Sequence, residues 1–331
     1  MENLESGAAE GDGGPLAELS EVPAVTPVPQ SEHEAEAIVT PRKRQVLITS
    51  NCQTGGIELC LRAMLPDTEF QMLYVWQLTP EHIEHTRAAI DNADIWLTIM
   101  RDPASLEMAE GKQVMKIPYL NFPGFHPDIC YVHLPTGGLA RCAGDSDYHS
   151  LLAFWSYKNG LSVEQAKAMF RKEVYREIGY FDGWDSSIAE QRHIFDDSDL
   201  SFDDYIRPLV ARAPFMHTPN HPTGAAINQL SKMIARRITG DDSVMKLPLD
   251  YLVQDTLSHV ATWPLYPEIA EQYGQDGCYV WKFAHGQFFT SLDHFLRETY
   301  AHYDRQDVTD WTCLRLDNPD LQDKLKMLAG L

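Results

Sequence analysis

The residues of this chain best suited to chemistry are Cys52, flanked by Asn51 and Gln53, and two histidines beside prolines. His126 lies in Gly124-Phe125-His126-Pro127, and His221 in Asn220-His221-Pro222. A thiol with an imidazole near it makes a nucleophile and its base. The amides of Asn51 and Gln53, with the backbone N–H groups of Gly55 and Gly56, can hold an oxyanion or a phosphate. Each residue also has a plainer alternative. Cys52 is either a nucleophile or a small packed side chain, and His221 either a general base or a capping residue. His126 is a second acid–base group, a substrate contact, or a loop histidine bonded to backbone. His217 and His221 stand four apart, but Pro219 between them keeps them off one helix face, so no metal site is expected.

These groups need elements to position them. The apolar run Val46-Leu47-Ile48 reads as a buried strand over residues 45–50. Apolar residues at helical spacing (Ile57, Leu61, Met64, Leu65) predict a helix over 54–65. Cys52 then sits in a strand–turn–helix, where the helix dipole is expected to lower a thiol's pKa. Further strands are predicted over 70–75, 94–100 and 116–121, with helices over 80–92 and 104–111 between them. This alternation implies a parallel sheet covered by helices, with ligands at the carboxyl ends of the strands. Helices are expected over 147–159, 162–178, 186–192, 202–212 and 225–238, with 215–224 as a loop. The fold class is therefore α/β. The expected division is a parallel-sheet part over 41–145 and a mostly helical part over 146–331, packed as one unit.

Composition narrows the function. The chain has 331 residues, 44% of them hydrophobic, and a net charge of −21. That charge argues against nucleic acid as a partner. Residues 1–40 hold nine acidic residues and no Lys or Arg, and are expected to be a disordered acidic tail. No apolar stretch reaches the ~18 residues of a membrane span. The start of the chain lacks the basic and apolar regions of a secretory signal. Six scattered cysteines without a CxxC pair suggest reduced thiols and a cytoplasmic location. GxGxxG, GxxxxGK[ST] and GxSxG patterns are missing, which disfavours dinucleotide, P-loop and ordinary α/β-hydrolase sites.

A strand ending in Asn51-Cys52-Gln53, the Gly-Phe-His-Pro loop and the Asn-His-Pro loop together resemble the WcbI-like polysaccharide biosynthesis proteins, over roughly residues 45–240. These are bacterial proteins tied to capsule synthesis. The resemblance implies a coenzyme A-binding acetyltransferase, with Asn51, Cys52 and Gln53 at the reactive end of the cofactor and His126 and His221 near it. Thr54 and Gly55 complete the expected cofactor contacts. Arg101, Lys158 and Lys282 are candidate phosphate partners. The leading expectation is transfer of an acetyl group from acetyl-CoA to a hydroxyl of a sugar or nucleotide-sugar acceptor, with Cys52, His221 and His126 as catalytic residues. The alternatives are an SGNH-like esterase or thioesterase with Cys52 in the serine position, and a non-catalytic protein that binds coenzyme A or a nucleotide sugar. Homo-oligomerisation is left open.

Overall fold

The computed structural model describes residues 42–102 and 113–331. The expected acidic tail and the expected helix over 104–111 lie outside the described residues. The described residues from Lys43 to Leu331 form one compact unit. Its elements in chain order begin with β1 (Arg44–Ser50), α1 (Thr54–Met64), β2 (Thr68–Tyr74), α2 (Ile83–Asn92), β3 (Ile95–Thr98) and β4 (Gln113–Lys116). There follow β5 (Ile129–Cys130), β6 (His149–Ser150), α3 (Leu151–Lys158), α4 (Val163–Met169), α5 (Lys172–Glu177), α6 (Gly183–Asp196) and α7 (Phe202–Val210). The chain continues through β7 (Met216–Thr218), β8 (His221–Pro222), α8 (Gly224–Thr239), α9 (Pro267–Ala270), β9 (Trp281–Lys282), β10 (Phe288–Phe289), α10 (Leu292–Asp304) and α11 (Pro319–Ala329).

The first four strands make one parallel sheet in the order β2-β1-β3-β4. The fold class is α/β, as the alternation implied. Successive side chains of β1 point to opposite faces. Val46 and Ile48 join the core formed with α1, while Leu47 packs with Leu73, Ile90 and Trp96 on the other face. A strand buried on both faces needs its unbroken apolar run. The carboxyl end of β1 at Ser50 lies beside that of β2 at Tyr74, so the loops after both strands open on one edge.

Several boundaries differ from expectation. The fourth strand ends at Lys116 instead of running over 116–121. Pro118 has no N–H to give a ladder, and side chains take over the backbone beyond it. The Asn121 N–H donates to Gln191 Oε1, and Gln191 Nε2 donates to the Tyr119 carbonyl. The helix expected over 162–178 breaks into α4 and α5, because Arg171 is extended at φ −152°. The helix expected over 147–159 starts later, after β6. The expected loop over 215–224 is a short hairpin, β7–β8, turning through Pro219 and Asn220.

Candidate functional site

After β1 the chain makes a tight turn. Asn51 Oδ1 accepts the Gln53 N–H at 3.1 Å, and Thr54 Oγ1 donates to the Asn51 carbonyl at 2.6 Å. This local bonding sets Cys52 on the turn and starts α1. The β7–β8 hairpin closes over it. Gln53 Nε2 donates to the Leu120 carbonyl at 2.7 Å and to the Asn220 carbonyl at 3.1 Å, while Gln53 Oε1 accepts the Leu120 N–H at 3.0 Å. The Phe122 N–H reaches the Pro219 carbonyl at 2.6 Å. One buried glutamine thus stitches three chain segments together. Cys52 Sγ points at the same Asn220 carbonyl, 3.9 Å away.

Beside this junction opens a cleft of about 470 Å³, with Asn51, Cys52, Tyr131, Tyr148, Asn220 and His221 on its walls. Tyr148 joins them: its hydroxyl donates to Asn220 Oδ1 at 2.6 Å and accepts from Thr218 Oγ1 at 3.2 Å. It also stands 3.5 Å from the ring nitrogens of His221. Asn220 Nδ2 donates to the Tyr131 hydroxyl at 3.4 Å. Trp76, Leu139, Val260, Ala261 and Ala284 add apolar wall, and Arg141, Asp145 and Asp147 add charge.

Burial sets the protonation states. It raises the Cys52 thiol above its ordinary value and outweighs a backbone hydrogen bond acting the other way. The expected activation by the helix dipole is therefore corrected: the side chain is a neutral thiol at pH 7 because the hairpin desolvates it. Burial, reinforced by His217 and His259, pushes His221 down to about 4, so at pH 7 its imidazole is wholly in the base form, a weak base that readily passes on any proton it takes. The same desolvation raises Tyr131 and Tyr148, which stay as hydroxyl donors at neutral pH.

Other expected site residues stand elsewhere. His126 is 2% exposed in the core, with its ring against Phe125, and does not line the cleft; burial pushes it down to about 3. Gln53 and Thr54 are fully buried, and their polar groups are spent on the Leu120, Asn220 and Asn51 backbone. Gly55, at the start of α1, is half-buried and off the cleft wall. Arg101 pairs with Asp197 at 3.6 Å in a shallow depression beside Lys116 and Tyr119. Lys158 Nζ donates to the Val308, Thr309 and Trp311 carbonyls, which leaves it a structural role. Lys282 lies on β9 and bridges Thr262 through backbone, next to the cleft wall but not on it.

The sequence reading missed Tyr131, Tyr148 and Asn220, and the pair His217–Asp255. His217 Nε2 meets Asp255 Oδ2 at 2.8 Å. The same carboxylate accepts the Gly224, Leu257 and Ser258 N–H groups. It therefore ties the start of α8 to the 255–258 turn, and its pKa is lowered by these bonds although burial opposes them. The partners lie 38 residues apart, and neither has a local motif. Among the described residues no group of three potential metal ligands gathers.

A model of the family described as the polysaccharide biosynthesis enzyme WcbI matches residues 45–242. The chain belongs to the WcbI family. A solved structure of WcbI, described as a novel polysaccharide biosynthesis enzyme, aligns with a TM-score of 0.65 and 16% identity, over 87% of this chain and 95% of that one. It is a native form without a disulfide bond between coenzyme A and one of its cysteines. At that identity the likeness is one of fold. No curated protein matches. The family match covers Cys52, Tyr131, Tyr148 and His221, but stops before Asp255 and the Val260, Ala261 and Ala284 wall.

Chemically, the cleft offers a neutral imidazole, the Tyr131 phenol as a donor and an unionised thiol, while the Tyr148 proton is spent on Asn220. Such a set favours proton transfer and hydrogen bonding to developing charge over attack by a preformed thiolate.

Proposed function

We propose that this WcbI-family chain is a polysaccharide-modifying acyltransferase that moves an acetyl group from acetyl-CoA to a sugar hydroxyl. The observation that carries the reading is the convergence of neutral His221, protonated Tyr131 and Tyr148, and the neutral Cys52 thiol on one cleft. Family membership and the relative named together with coenzyme A support it. The cleft suits a thioester, since apolar Val260, Ala261 and Ala284 share its walls with an uncharged thiol. Acetyl-CoA would supply an activated acyl carbonyl there.

His221 takes the proton of the attacking hydroxyl, whose oxygen bonds to the acyl carbon as the acyl–sulfur bond breaks; the proton then goes to the departing sulfur. The Tyr131 hydroxyl, which accepts from Asn220 Nδ2, keeps its own proton to donate toward the oxyanion. Tyr148 fixes Asn220 and the His221 ring. Cys52 packs against the thioester and does not attack it. All six cysteines are free, which agrees with a reducing, cytoplasmic setting.

The test is coenzyme A release from acetyl-CoA, with and without a sugar acceptor, in His221→Ala and Cys52→Ser. His221→Ala should lose about 10²- to 10⁴-fold in kcat, and Cys52→Ser should retain most activity. Wild-type turnover in His221→Ala sinks the base assignment. Acetate release unaffected by any acceptor favours the hydrolase alternative.

A further inference from the structure

The rim of the cleft adds a second recognition chemistry. Trp76 is 58% exposed. One face of its indole is covered by Tyr74, with centroids 4.7 Å apart and planes at 10°. The Tyr74 N–H donates to Gln77 Oε1 at 2.9 Å and closes the turn that carries the ring. An indole held by one face, with so much area open at a cleft mouth, is a platform for the C–H face of a pyranose.

Charged groups on the cleft wall come from the turn at 141–147. Arg141 Nη1 lies 3.3 Å from Asp147 Oδ1, and Arg141 Nε 3.8 Å from Asp145 Oδ1. Gly144 and Asp145 are both left-handed, at φ +79° and +54°. A Cβ on Gly144 would meet the Phe283 ring at 2.4 Å, so the packed ring holds the backbone at Gly144 close, next to the exposed Asp145 carboxylate. Among the described lining residues the charges are one guanidinium and two carboxylates, with the guanidinium already engaged by both acids. Carboxylates accept from hydroxyls readily and repel phosphates.

We infer that the acceptor is an uncharged or amino sugar residue bound face-on to Trp76, and that nucleoside-diphosphate sugars are excluded. This inference rests on the acyl-transfer reading and names its acceptor class. The two co-substrates differ in where they carry phosphate. In coenzyme A the long pantetheine arm separates the diphosphate from the thioester, so the phosphates would stay outside the rim. In a nucleotide sugar the diphosphate is attached to the sugar ring itself and would be drawn in beside Asp145 and Asp147. The acceptor is therefore a sugar that carries no diphosphate when it binds.

The experiment separates binding from turnover. Calorimetry without acyl donor compares a panel of methyl hexosides and hexosaminides with UDP-glucose, UDP-N-acetylglucosamine and GDP-mannose, on the wild type, Trp76→Ala and Asp145→Asn/Asp147→Asn. The expected result is binding of a methyl glycoside at least tenfold tighter than its nucleotide sugar. Trp76→Ala should weaken it about 5- to 10-fold, and the double variant should narrow the gap between the classes. Tighter or equal binding of nucleotide sugars, binding of neither class, or an unchanged affinity in Trp76→Ala overturns the inference. Sugar binding as expected, with acetyl-CoA turnover missing for every acceptor, leaves it standing and removes the acyl-transfer reading.

Discussion

Gln53→Ala separates two roles for one residue, since the turn made Gln53 a ligand contact by sequence and the structure makes it a stitch. Its side chain is fully buried, and its amide bonds the Leu120 N–H, the Leu120 carbonyl and the Asn220 carbonyl. Truncation strips both Leu120 backbone groups of these partners inside the protein. An unsatisfied buried group costs about 1–3 kcal/mol, and two of them plus the void sum to roughly 3–5 kcal/mol. At about 2 °C per kcal/mol for a chain of this size, Tm should fall by roughly 6–10 °C. Calorimetric melting measures it, and amide hydrogen exchange should show Leu120 losing protection before the sheet does. A melting point within about 2 °C of wild type, with protection at Leu120 intact, refutes the stitch. A raised KM at unchanged Tm restores the ligand role.

Acid should destabilise the fold through buried histidines. His126 is pushed down to about 3, and His149 and His221 to about 4, from 6.5. Between about pH 4 and 6.5 the unfolded chain holds protons that the folded one refuses. Stability is therefore full above pH 6.5 and declines below it, by up to about 1.4 kcal/mol per pH unit for each histidine. Urea midpoints at pH 7.5 and 5.0 test this, and equal midpoints contradict it. Iodoacetamide at pH 7.5 should label exposed Cys278 well before Cys52, whose thiol burial keeps protonated. Peptide mass mapping in which Cys52 leads would show that the thiolate forms after all.

What the sequence made legible was local. The Val46-Leu47-Ile48 run and the spacing of Ile57, Leu61 and Met64 led directly to β1 and α1, because the strand is buried on both faces and the helix keeps its apolar stripe in the core. Cys52 and His221 lie on one cleft because Cys52 follows β1 and His221 opens β8 of the hairpin that Gln53 bonds at Asn220. The thiol's protonation was not legible, since a hairpin 168 residues away supplies the burial. Nor was Tyr148, whose bond to Asn220 spans 72 residues without a pattern to mark it. Pro118 was visible in the sequence, yet its effect on the fourth strand depended on Gln53 and Gln191 being there to take the backbone.

The cleft also has a timetable. Ribosomes deliver the chain from its amino end, so β1 and Cys52 emerge long before the Asn220 hairpin and the wall at Val260, Ala261 and Ala284. Closing contacts so distant in sequence is a slow, late event in folding. Through that interval the thiol has not yet been desolvated, and it titrates and reacts as an ordinary cysteine. The finished fold therefore lowers a reactivity that the nascent chain possesses, and Cys52 is more open to oxidative or electrophilic damage during synthesis than in the folded protein.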